Sequence, residues 1–303
     1  MSQSAEIRFR SNPWGGLYVL PAILAIAVFH LYPLAQTALM SLFDLNRSTE
    51  IRNGEFIGLQ AYRELMANPL FWRSVAFTLA FSIGATLLEL AGGLAIASVA
   101  IGLPARWQRP LFSSWILPWA VPPIVFAALW KWSWRPDTGF LSHGLAATGL
   151  VADAGAMLAS PASAMAIVIV AQASRGVWIV GLFMVAAMAT IPKDVHDAAA
   201  LDEASGFQRF RRVTLPIIAP AIASVAALRL LDGVRVFEMI YGLTGGGPGA
   251  ATEALSSHAY RHYFSYLDFG MGSAYAVTSL VLIIVMAATF FVLMNRRRTR
   301  VYP

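Results

Sequence analysis

The sequence predicts an all-α, polytopic membrane protein with six transmembrane helices, and three observations carry that prediction. Of its 303 residues, 58% are hydrophobic and 13% charged, where soluble globular chains hold roughly 45–50% and 25%. Mean hydropathy is +0.63, more apolar surface than a water-soluble fold of this length can hide while keeping a wettable exterior. The apolar residues also fall into six runs, each matching the roughly 20 helical residues that cross a hydrocarbon core of about 30 Å.

The runs are Leu17–Ser41, Val75–Ile101, Leu111–Trp130, Ala162–Ile191, Ile217–Thr244 and Gly270–Met294, within what reads as a single transmembrane domain over residues 1–303. Arg8 and Arg10 precede the first run as they would a cleaved signal peptide. Its length exceeds the usual apolar region of about 7–15 residues, so it is read as a retained span. The second run carries one acid, Glu89, followed by Leu90-Ala91-Gly92-Gly93; this reads as helix-packing glue or as the coupling acid of a secondary transporter. Pro118, Pro122 and Pro123 should kink the third run, as a hinge or as a plain bend, with neighbouring helices satisfying the freed carbonyls. In the fourth, Gln172, Arg175 and Trp178 recur at steps of three, and Gly176 permits close approach. The fifth run is the most charged, with Arg229, Asp232, Arg235 and Glu238 alternating in sign as a helical i,i+3 ladder. Trp14, Trp72, Trp107, Trp130, Trp132 and Trp134 cluster near the proposed boundaries, as an interfacial aromatic belt does.

The net charge of +6 does not point to nucleic acid, because the basic residues lie between apolar runs instead of on one soluble face. They are asymmetric across the membrane. Twelve (Arg8, Arg10, Arg106, Arg109, Lys193, Arg209, Arg211, Arg212, Arg296, Arg297, Arg298 and Arg300) fall on one side and six (Arg47, Arg52, Arg63, Lys131, Arg135 and Arg261) on the other. Lys and Arg remain cytoplasmic, which places both termini inside. Cysteine is absent, excluding disulfides, thiolate metal sites and cysteine nucleophiles. His258 and His262 lack the glutamate of HExxH, and Gly245–Gly249 lacks the lysine of a phosphate-binding loop. With no convergent nucleophile, base or metal set, the chain is not read as an enzyme.

The loop 192–216 is long for an inner connection. Its alanine run, Leu201, Phe207 and Phe210 predict a helix over Val195–Phe210. Asp194 and Asp197 stand in for a capping box, and Gly206 offers a break before the basic turn Arg209–Arg212. Such a helix suits docking into a groove on another protein or lying on the lipid surface.

The same loop resembles the cytoplasmic signature of ABC-importer membrane subunits: Glu-Ala-Ala, then a glycine, then Ile-x-Leu-Pro. Here these are Asp197-Ala198-Ala199 and Val213-Thr214-Leu215-Pro216, with Glu203 where the glycine stands and Gly206 expected to take over its turn. Leu31-Tyr32-Pro33, Phe56-Ile57-Gly58-Leu59 with Tyr62, Ile191-Pro192 and Leu243-Thr244-Gly245-Gly246-Gly247-Pro248 extend the likeness to carbohydrate-type importers of the maltose and glycerol-phosphate kind. The resemblance implies a permease subunit of the bacterial cytoplasmic (inner) membrane, with a cytoplasmic coupling helix. It implies a second homologous permease subunit, two ATPase subunits that hold the ATP and Mg, and an external solute-binding protein. No cofactor is expected on this chain itself. Asp197, Ala198, Ala199, Asp202, Glu203 and Gly206 become the ATPase-coupling residues. Gln172, Arg175, Gly176, Trp178, Arg229, Asp232, Gly233 and Val236 become candidates to line the path of a carbohydrate-like solute; the charges of the fifth run read equally as a self-neutralised packing stripe. An ion-coupled secondary transporter of a small polar solute is the alternative, and it would carry its coupling acids at an inverted-repeat midplane.

Overall fold

A computed structural model describes residues 15–47, 50–149 and 154–301; Arg8, Arg10 and Trp14 lie outside the described residues. Helix dominates, as expected. The strands among the described residues are one antiparallel pair of two-residue segments, Phe43–Asp44 against Glu55–Phe56, closing the loop after the first span. Among the described residues, five uninterrupted helices are long and apolar enough to cross a membrane: Tyr18–Met40, Pro69–Ala100, Pro161–Ala189, Gly206–Val234 and Phe269–Met294. The third span is two helices, Ala105–Ala120 and Pro123–Ser133, meeting at 88°.

That break exceeds the expected kink, and its cause is local. Each of two consecutive prolines forces its predecessor out of helical geometry, so Val121 takes φ −66°, ψ 128° and Pro122 φ −54°, ψ 135°. The fifth span departs from expectation differently. Predicted to run to Thr244, it ends at Val234; Arg235 and Phe237 (φ −137°, ψ −60°) leave helical geometry, and a short helix, Glu238–Leu243, follows. No proline dictates this. The Val236 carbonyl is instead taken by the Ser256 hydroxyl from the segment before the sixth span, so a tertiary contact satisfies what the interrupted helix leaves open. The four-charge ladder is therefore divided between two helices.

The second, fourth and fifth spans pack along one another as the centre of the bundle. Two apolar clusters fill it. One gathers Phe77, Phe81, Ile167, Val168, Met239, Ile240 and Leu243; the other gathers Ala97, Val180, Met184, Met188, Ile218 and Val225. Along all three helices the residues between those clusters include Glu89, Gly176 and Arg229. The first and sixth spans lie outside that centre: their most apolar windows are 0% buried, while Ala274 and Tyr275 near the start of the sixth join a third apolar cluster with Ala61, Leu65, Phe71 and Leu255.

Candidate solute path and coupling surface

Glu89 on the second span is 1% exposed and Arg229 on the fifth 9%. They form a two-pronged pair in which Arg229 Nε donates to Glu89 Oε2 at 2.6 Å and Nη2 to Oε1 at 2.8 Å. The remaining nitrogen, Nη1, donates to Asp232 Oδ2 at 3.1 Å. Planar guanidinium suits this fork, and complete pairing makes a mid-bundle charge tolerable. Gln172 interacts with Glu89 as well. Gly176 supplies the space: a Cβ there would overlap the Glu89 carboxylate and stand 2.8 Å from Arg229 Nη2.

Arg175 is turned elsewhere. Its Nη2 donates to the Trp119 carbonyl at 2.8 Å and its Nε to the Val121 carbonyl at 3.3 Å. These are the acceptors freed by the break. In a continuous helix Trp119 would receive the N–H of residue 123, which is proline, and Val121 that of Val125, which bonds Pro122 instead at 3.0 Å. A cation at the C-terminal end of the half-helix Ala105–Ala120 also complements its dipole. Trp178 packs toward the same half-helix, its ring 6.0 Å from that of Trp115.

Of the eight predicted path residues, Gln172, Gly176, Arg229 and Asp232 thus gather around Glu89. Arg175 and Trp178 instead hold the third span. Gly233 and Val236 stand at packing positions: a Cβ on Gly233 would come within 2.6 Å of Ser82 Oγ, and Val236 belongs to the apolar core. Polar side chains left open near the cluster are Asp232, 56% exposed, with Arg235 and Glu238 beyond it. From the sequence Glu89 read as packing glue or as a coupling acid, not as the partner of Arg229. Its partner lies 140 residues away, and the usable signal was one lone acid in a span adjoining a base-containing one.

The loop helix spans Lys193–Leu201 and is shorter than the predicted Val195–Phe210. Glu203 stops it by adopting φ 54°, the left-handed conformation that glycine takes most easily, and the Ala204 N–H returns to the Ala199 carbonyl at 3.3 Å. Gly206 does not take over the turn. It is the first residue of the helix that becomes the fifth span, capped reciprocally by Ser205 and Gln208. The face so formed is outward: Asp197, Ala198 and Asp202 are exposed, Ala199 is half-buried, and Leu201 and Phe207 are 86% and 71% exposed.

At the far end of the bundle the two histidines serve different partners. His258 meets Ser74 Oγ at 2.8 Å and is pushed down to about 4 by burial, aided by Arg261 and His262. His262 faces Asp268 at 3.3 Å.

Residues 65–301 match the family described as binding-protein-dependent transport system inner membrane component. The chain belongs to that family. It is 32% identical over 281 residues to the trehalose/maltose transport system permease protein of Thermococcus litoralis, covering 93% of each chain. It is 28% identical over 274 residues to the sulfoquinovosyl glycerol transport system permease protein of Agrobacterium fabrum, covering 90% of this chain and 88% of the relative. A bacterial ABC transporter involved in the import of alginate shares the fold, with a TM-score of 0.78 at 21% identity over 93% of this chain and 94% of that one. As a member of the binding-protein-dependent family, the chain is a multi-pass, non-catalytic permease subunit of an ABC importer.

Proposed function

We propose that this permease forms half of the path for a sugar or sugar-like solute, beside a second homologous permease subunit. An external binding protein delivers the solute. Two separate ATPase subunits, holding the ATP and Mg, grip loop 192–216 of each permease, in a cytoplasmic membrane with both termini inside. The observation that supports coupling most is the outward apolar surface of loop 192–216, where Leu201 at the end of the loop helix and Phe207 at the start of the next stand 86% and 71% exposed. Such a face is suited to a protein groove. The names of the similar permeases support a carbohydrate solute.

Within the bundle, Asp232 is the path residue best placed to meet solute, because its carboxylate is half open while Arg229 is fully engaged. Carbohydrate sites set a few polar groups among apolar walls. The ion-coupled alternative would need Glu89 to exchange protons, yet both of its oxygens are held by Arg229. Vanadate-sensitive uptake by the assembled importer in vesicles tests the reading. Asp232→Asn should assemble normally and lose uptake or change which solutes are carried; undiminished uptake of every solute would remove Asp232 from the path.

A further inference from the structure

A cavity of about 420 Å³ opens under the loop helix, where the second and fourth spans end and the fifth begins. Ile101, Met188 and Phe210 form apolar walls, and His196, Arg209 and Thr214 bring polar groups to it. Arg209 Nε is buried and has no hydrogen-bond partner among the described residues. A buried guanidinium N–H is expensive to leave unpaired. The acids of the loop do not serve it: Asp194, Asp197, Asp202 and Glu203 are all exposed. The chain runs past the cavity as a π-helical turn, Phe210–Thr214, a geometry that recurs at functional sites.

The location restricts the missing acceptor. The cavity is built from span ends, which sit at headgroup depth. One residue beyond its Gly102, at Leu103, a second apolar groove begins, lined also by Trp107, Pro110 and Leu111. A cation at headgroup depth with apolar channels leading away fits an amphiphile whose polar end is an anion. We propose that this cavity binds an anionic phospholipid, with its phosphate on Arg209 and His196 and its acyl chains toward Ile101 and Leu103. On the reading that loop 192–216 grips an ATPase, the lipid braces that loop from beneath, between His196 on the loop helix and Arg209 on the fifth span.

The test uses the assembled importer in nanodiscs of phosphatidylcholine and phosphatidylglycerol in equal parts, with retained lipid read by native mass spectrometry. The intact protein should retain phosphatidylglycerol preferentially. Arg209→Met should lower that retention about fivefold, the usual weight of one basic residue at a membrane surface. Ile101→Trp, which fills the cavity and leaves every charge in place, should lower it too. Arg211→Met, at an exposed neighbouring position, should not. Equal retention by Arg209→Met and the intact protein would overturn the proposal, as would an equal loss with Arg211→Met. Displacement of the lipid by millimolar inorganic phosphate alone would overturn it in favour of a free anion. Lipid retention needs no ATP hydrolysis, so a failure here is distinct from a failure of the coupling reading.

Discussion

Glu89 and Arg229 hold each other in the middle of the bundle, and each would be stranded without the other. Arg229→Leu alone should cost the assembled complex about 3–5 kcal/mol, because it leaves a carboxylate buried without its partner. The double replacement Glu89→Leu with Arg229→Leu should recover most of that loss, since apolar residues often substitute for a buried pair at little net cost. Thermal unfolding of the single and double variants measures this coupling, and additive losses would contradict it. Spacing along the fifth span pointed to Asp232 as the partner of Arg229, and that bond exists at 3.1 Å. The buried pair with Glu89 was not legible, because it joins two helices far apart in sequence and depends on the missing side chain at Gly176. Glu203 shows the opposite case. The side chain there moved the expected turn to Gly206, yet the backbone makes it at Glu203 itself, with φ 54°. Glu203→Gly should therefore stabilise the loop by about 1 kcal/mol, the usual left-handed penalty, and leave ATPase stimulation intact. A loss of stability would show that the Glu203 side chain contributes something its exposure does not reveal.

Arg175 links two elements. It closes the third-span break by donating to Trp119 and Val121, a role that its spacing from Gln172 and Trp178 did not reveal. The prolines announced a bend, and the need for a neighbour to satisfy freed carbonyls was legible too; which neighbour would do so was not. Arg175→Met should leave two carbonyls without partners, at about 1–3 kcal/mol for each one out of water. Arg175→Lys, with one compact ammonium in place of a planar fork, should recover only part of that. Melting of the assembled complex in both variants, with unchanged solute preference, is the expected pattern; altered solute preference at unchanged stability would return Arg175 to the path. The end of the fifth span was illegible for a related reason. Its interruption at Arg235–Phe237 is supported by Ser256 across the bundle, and local propensity carries no sign of it.

Over the whole molecule, composition and apolar run length sufficed for an all-α membrane protein, because continuous apolar runs of about 20 residues fit helices that satisfy their own backbone in lipid, where barrel strands are shorter and alternate. The six apolar runs overlap the five long helices and the broken pair, but their ends differ, most of all in the fifth, which runs Gly206–Val234 instead of Ile217–Thr244. What composition could not show is how incomplete the chain is by itself. The first and sixth spans are 0% buried in their most apolar windows, and loop 192–216 leaves Leu201 and Phe207 open, surfaces that need lipid or partner subunits to cover them. The central claim is that the loop helix transmits ATP hydrolysis to the solute path. Ala198 tests it most directly, since it is exposed on that helix and a change there should spare the fold of the chain. The measurement is ATP hydrolysis by the reconstituted importer, with and without the solute-loaded binding protein. Ala198→Asp should abolish the stimulation by burying an unpaired charge in the docking groove, while the loaded binding protein still associates with the permease. Full stimulation and normal uptake with Ala198→Asp would contradict the account.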